Sequence, residues 1–286
     1  MSLIVYSPRA LEIMEKVAQM FSRIENKNLG KISYCTLSPA FTKGELGKLR
    51  RIKSVSKQRT LKIRFILPSF KDCFLSNPLK ILSFLLGHEG KGSILSSLIE
   101  KGLASELASS CSNVEDYFSQ ANIRVVLTKK GINNYQKVVL ILFQYIGMLK
   151  RTPLPRRLFD EIKNVKKMKF EFRSRQRGLQ KVKELVRVFP HYPVEFVNNF
   201  HFLLETFEPK KFSQMLDHLT PENMIVELLN HELESLPLRD SFYDTQFSNQ
   251  PLDPKFIEEI HQALSKNPFF LGLPKIIKKK LITLLL

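Results

Sequence analysis

Tryptophan is absent from this 286-residue chain, and cysteine nearly so. The three cysteines, Cys35, Cys73 and Cys111, lie far apart and form no Cys-x-x-Cys pair. So odd and sparse a set excludes a disulfide framework and a thiolate-based structural zinc site. Reduced thiols of minor structural importance are expected. Long apolar runs are missing too: none approaches the roughly 18–20 residues that span a bilayer. Met1-Ser2-Leu3-Ile4-Val5-Tyr6 lacks the charged start and longer apolar stretch of a secretory signal. The chain as read is therefore expected to be cytoplasmic, which says nothing about the compartment of a longer parent protein.

Catalytic signatures are equally scarce. The six histidines are His88, His191, His201, His218, His231 and His261, and no two stand four residues apart. That spacing is what places two imidazoles on one helical face around a metal. His231-Glu232-Leu233-Glu234 comes nearest but has no second imidazole. Neither a Gly-x-Ser-x-Gly elbow nor a phosphate-cradling Gly-rich loop occurs. No catalytic residue, metal ligand or cofactor is assigned within the chain. His191 and His201, set among aromatic residues, read as structural.

Acidic residues are also in short supply. Lys and Arg number 45 against 27 Asp and Glu, a formal charge of +18. Such a surplus attracts nucleic acid, anionic membrane or acidic peptides through a field that salt weakens. Nine basic residues and one acid fall between Lys43 and Arg64, and fourteen and four between Lys150 and Arg187. A solvated basic surface is the commoner outcome, and no nucleic-acid-binding fingerprint accompanies it.

What is present suits a packed core: 43% hydrophobic residues, 22 of the residues Phe, and 25% charged. Length allows one large domain or two small ones. Leu3–Tyr6 reads as a short strand, and Ser7-Pro8 as the start of a helix. Leu11, Met14, Val17, Ala18, Phe21 and Ile24 recur at helical spacing as its apolar stripe. Residues 31–58 show little periodicity and read as a connector. Leu61, Ile63, Phe65 and Leu67 alternate with Lys62, Arg64 and Ile66, a strand with one buried face, ended by Pro68. Helices are predicted over 78–86, 94–101 (stopped by Gly102), 131–149, 156–173, 179–188, 194–199 and 210–216. Strands are predicted over 121–128 and 223–229. The mixture indicates an α/β or α+β fold with helices on one face of a sheet.

Several motifs stand in order. They are Leu67-Pro68-Ser69, Pro78-Leu79-Lys80-Ile81-Leu82, Gly87-His88-Glu89-Gly90-Lys91-Gly92-Ser93-Ile94-Leu95 and Lys101-Gly102-Leu103. Phe143-Gln144-Tyr145-Ile146, Leu219-Thr220-Pro221-Glu222-Asn223 and Phe242-Tyr243-Asp244-Thr245-Gln246-Phe247 follow. Together they resemble the second domain of the insulinase/pitrilysin family of zinc metallopeptidases, and Met1–Asn28 resembles the end of that family's first domain. This resemblance implies a two-layer α/β sandwich with a mainly antiparallel sheet. It divides the chain into a remnant of the catalytic domain (1–30), a linker (31–58), the non-catalytic second domain (59–272) and a divergent basic and apolar tail (273–286). Within the last part of the match, Asn267-Pro268-Phe269 and Leu273-Pro274 are recognisable and Lys275–Leu286 is not.

The family's zinc is held by a His-x-x-Glu-His motif in the first domain, with the Glu activating water. That motif does not occur here, so zinc is expected only in a separate catalytic half. The chain would be a fragment or non-catalytic subunit, inactive alone, whose partners are a zinc-bearing half and peptide substrates. Gly87, His88, Glu89, Gly90 and Gly92 match the family's exosite, which anchors a substrate's N-terminal end by extending a strand. Equally, the glycines could serve only a tight turn. The family's Gly-Gly pair is replaced by Ser109-Ser110, which would narrow such a groove. The rival reading is a basic binding protein, for nucleic acid or another anionic partner, on an inherited peptidase fold.

Overall fold

The computed structural model describes residues 3–7, 11–25, 27–28, 41–42, 44–114 and 117–266. Pro8, residues 31–40 of the predicted connector, Asn267-Pro268-Phe269 and the 273–286 tail lie outside them. In chain order the elements are α1 (Leu11–Ser22), β1 (Lys48–Lys53), β2 (Thr60–Pro68), α2 (Pro78–Leu86), α3 (Ile94–Glu100), β3 (Ala104–Val114) and β4 (Phe118–Leu127). Then come α4 (Lys129–Asn133), α5 (Tyr135–Arg151), α6 (Arg156–Glu171), α7 (Gly178–Val188), α8 (Val194–Val197) and α9 (Pro209–Asp217). The last are β5 (Met224–Asn230), β6 (Leu238–Arg239), β7 (Gln246–Pro251) and α10 (Pro254–Ser265).

Contacts divide the chain into two compact units, Pro39–Ile162 with Thr206–Leu286, and Met1–Ser38 with Lys163–Glu205. The larger is built on a seven-stranded sheet of order β3-β4-β2-β5-β1-β7-β6. Only the β1–β5 pair is parallel, as a mainly antiparallel α/β layer requires. Leu61, Ile63, Phe65 and Leu67 of β2 are buried, as their alternation predicts, with Ala121, Ile123 and Val125 of β4 beside them. α5 buries Val138, Val139, Leu142, Phe143 and Ile146 in the same core. Its Tyr145 is fully buried and donates to the Leu85 carbonyl oxygen at 3.1 Å.

Local chemistry sets the helix ends. The Asn77 side chain accepts from Lys80 N–H at the start of α2, with Pro78 in the first turn. Ser93 Oγ accepts from Ser96 N–H at the start of α3, and Gly102 beyond its end has φ +65°. Each such cap contributes about 1 kcal/mol.

Four sequence expectations are corrected. Leu3–Tyr6 joins no ladder among the described residues, because hydrophobic pattern cannot supply a neighbouring strand. Within the predicted connector, Lys48–Lys53 is a strand between β5 and β7. Its sequence Lys-Leu-Arg-Arg-Ile-Lys hides the alternation, since basic stems cover apolar surface that Leu or Val usually covers. The predicted 131–149 helix breaks at Asn134 (φ −124°, ψ 32°), whose Nδ2 donates to the Lys130 carbonyl. An Asn amide competing for backbone in this way is a helix interruption. β3, β7 and α10 were not expected. In β3 only Ala104 and Leu107 are buried, so the strand carries almost no hydrophobic pattern.

In the smaller unit the Tyr6 ring lies against Gly178 at the start of α7, where a Cβ would approach it to 2.8 Å. α1 forms as its periodicity predicts, yet none of its residues is buried, and Leu11 and Phe21 are exposed.

Candidate functional site

The predicted site residues lie on the turn between α2 and α3, beside the edge strand β3. Gly87 caps α2, its N–H donating to the Ser83 carbonyl at 3.0 Å. A Cβ on Gly87 would stand 3.0 Å from that oxygen and 3.4 Å from Ser109 Cβ, so Ser109 closes against it. Ser83 Oγ also donates to the Ser109 carbonyl at 3.0 Å, tying α2 to β3.

His88 and Gly90 form a unit of their own. Gly90 N–H donates to His88 Nδ1 at 3.1 Å, and a Cβ on Gly90 would run into the imidazole, 3.2 Å from Nε2. The ring lies 6.1 Å from that of Phe84. Burial lowers the His88 pKa below its ordinary value, with Glu89 opposing in part. Gly92 has φ +82°, a backbone state that L side chains rarely adopt, so it also serves the turn. Glu89 points elsewhere, lining a cavity of about 310 Å³ with Glu106, Ala108 and Arg124.

The five predicted residues thus divide into a turn scaffold (Gly87, His88, Gly90, Gly92) and one charged group, Glu89, set beside β3. Ser83 and Glu106 escaped the sequence reading because β3 itself did. An edge strand offers alternate N–H and C=O groups to an added chain. Two carboxylates near its start, offset in part by Arg124, favour a cationic group there, such as a peptide α-amino terminus.

A pH effect follows from the half-buried imidazole. The folded state releases the His88 proton more readily than the unfolded chain, so between about pH 5 and 7 the unfolded state binds more protons. Stability then rises with pH in this window and is lost as pH falls. His88→Gln is expected to flatten the slope of the thermal midpoint against pH between 5 and 7. An unchanged slope would assign the acid sensitivity to other groups.

His191, His201 and His261 make contacts elsewhere. Tyr192 and Phe200 rings, 4.0 Å apart, lie beside His191 and His201. His261 meets Glu222 at 2.6 Å. Glu232, in the nearest approach to a zinc motif, is paired with Arg59 at 2.6 Å. Burial pushes the Cys111 thiol up to about 12, which makes it a poor nucleophile. Among the described residues no group of three or more His, Cys, Asp or Glu side chains is placed to hold a metal ion. No helix among them is long and apolar enough to cross a membrane.

Comparison with known proteins supplies the kinship. The peptidase M16 inactive domain matches residues 1–166, and the middle or third domain of peptidase M16 matches residues 170–276. Human nardilysin is 29% identical over 276 residues, covering 94% of this chain and 24% of its own length. Human insulin-degrading enzyme is 29% identical over 253 residues, covering 88% and 25%. The chain therefore spans about a quarter of these relatives. The crystal structure of pitrilysin superposes with a TM-score of 0.86 at 21% identity, over 94% of this chain and 28% of that one. The first half of the periplasmic protease PqqL from Escherichia coli gives 0.59 at 12% identity, over 93% and 56%. With the inactive-domain match alone covering more than half of its residues, this chain belongs to the M16 peptidases, the insulinase/pitrilysin family.

Proposed function

We propose that the chain is a non-catalytic component of an M16 oligopeptidase, forming chamber wall and anchoring the N-terminal end of peptides cut by a separate zinc-bearing half. One observation carries the reading: the exosite-like turn, with Glu89, stands beside an edge strand whose start bears a second carboxylate, Glu106. A peptide added along β3 would pair its backbone with the strand and leave its α-amino group near these acids. The family's zinc finds no donor set in this chain, since the sequence has no histidine pair at the required spacing. Substrate holding and the exclusion of water are then its contribution, and bond cleavage belongs to the partner.

The test combines the chain with a zinc-bearing M16 half and follows a fluorogenic peptide. Hydrolysis is expected from the mixture and not from the chain alone. Glu89→Gln with Glu106→Gln is expected to raise KM about fivefold at unchanged kcat, an effect of uniform binding. An N-acetylated peptide should not register the substitutions. Turnover by the chain alone, abolished by a chelator, would overturn the non-catalytic reading. An equal KM change for the acetylated peptide would overturn the anchoring role.

A further inference from the structure

The face of the sheet opposite Leu61, Ile63 and Phe65 gathers charge that is dispersed in the sequence, on largely half-buried side chains around the fully buried Ile225. Register places Arg124 (β4), Lys62 (β2), Glu227 (β5) and Arg50 (β1) in one cross-strand row. The adjacent row is Asn122, Arg64, Ile225 and Lys48 on the same strands. Five cations therefore share two rows with a single acid. Strands about 4.8 Å apart, and rows about 6.8 Å apart, make this patch about 14 Å by 7 Å.

The acid does not neutralise the patch. Glu227 is engaged by Arg50 at 3.8 Å. Arg64 Nε donates to Asn122 Oδ1 at 3.0 Å, a neutral partner that leaves its charge uncompensated, while Arg124 donates to Gln58 Oε1 at 2.7 Å and lines the cavity of Glu89 and Glu106. Among the described residues Lys48 and Lys62 make no ion pair. Lys62 and Arg124 stand directly opposite each other. Like charges so placed destabilise a sheet, and an anion lying between them removes that cost.

We propose that this face is a docking surface for an acidic peptide segment in extended form, with acids at alternate positions. Charge complementarity argues for the sign. Spacing argues for the pattern: Lys62 to Arg64 and Arg50 to Lys48 are each two residues apart on a strand, about 6.8 Å, as are same-face side chains of an extended peptide. The two rows hold no aromatic ring; Tyr243 and Phe247 line a cavity with Arg50 and Glu227 at the β7 end, so an oligonucleotide serves as a competitor in the test. Asn122 and Asn249, the latter opposite Arg50, add amides suited to a peptide backbone. Arg124, at the β4 end of this surface, also lines the cavity of Glu89 and Glu106, so the test of this surface rests on Lys62 and Arg64, which do not line that cavity.

The probe is a fluorescein-labelled, N-acetylated and C-amidated hexapeptide of alternating Glu and Thr, titrated by anisotropy against the full chain at low salt. Acetylation removes the α-amino group that Glu89 and Glu106 would recognise, so the two proposals fail independently. Binding is expected, weakened about tenfold by Lys62→Gln with Arg64→Gln and less than about twofold by Lys101→Gln with Lys130→Gln. The isomer with three consecutive Glu is expected to bind about threefold more weakly, because only alternate acids match the rows. Lys62→Gln alone gives a second reading should the double variant fail to fold; it is expected to weaken binding about threefold. Equal losses from the two double variants would reduce the effect to net charge and overturn the proposal. So would absent binding, or tighter binding of an oligothymidylate of equal charge.

Discussion

Gly131→Ala is expected to lower stability by about 2–4 kcal/mol, seen as a lower urea midpoint at unchanged slope. Gly131 lies in the first turn of α4, where its N–H is capped by Thr128 Oγ1 at 2.9 Å. A Cβ there would fall inside the van der Waals envelope of the Leu103 carbonyl, 2.9 Å from its carbon. That carbonyl also accepts the Thr128 N–H at 3.1 Å. The obstacle is backbone held from two sides, so no side-chain rotation relieves it. Because Leu103 immediately precedes β3, the displacement would pass to the edge strand on which the proposed anchoring depends. A loss below about 0.5 kcal/mol, the range of ordinary surface substitutions, would mean that the two segments separate easily.

Phe65→Ala should cost about 3–5 kcal/mol, by lost apolar transfer and by the cavity left behind. Phe65 is fully buried on β2, with Ala121 and Met224 as cross-strand neighbours. Its ring meets that of Phe143 edge-on at 5.8 Å, joining the sheet to α5. Neighbouring strands are fixed by ladder hydrogen bonds, so the site cannot collapse to fill the space. Phe65→Leu, which retains most of the volume, should cost less than half as much. Near-equal losses from the two substitutions would show that ring geometry, rather than volume, dominates.

Elements with strong patterns were legible from residues alone. β2 alternates over eight residues, and α2 carries an Asn cap, a Pro at its first position and a nearly all-apolar body; both occur where expected. β3 and β1 were not legible. β3 lies at the sheet edge and buries little, so selection for a hydrophobic face is weak there. β1 is basic and buries only Leu49, so it too carries almost no hydrophobic pattern.

The glycine-rich turn illustrates the same limit within the site. Its motif was visible, along with the choice between a turn and a binding loop. The structure assigns Gly92 to the turn by its φ, and Gly90 to making room for His88. Only Glu89 is left facing a cavity, and its companion Glu106 comes from a strand that the pattern did not reveal.

By itself the sequence determined the family, the two-layer class and the lack of a histidine pair for zinc, because motifs and spacings are properties of neighbouring residues. Tertiary structure alone decided that β3 forms an edge strand, that Glu89 and Glu106 line one cavity, and that cations from three separate strands share one face. These depend on strand order and register. Register is set by the pairing of distant segments through backbone hydrogen bonds, and no local pattern encodes the identity of a partner strand.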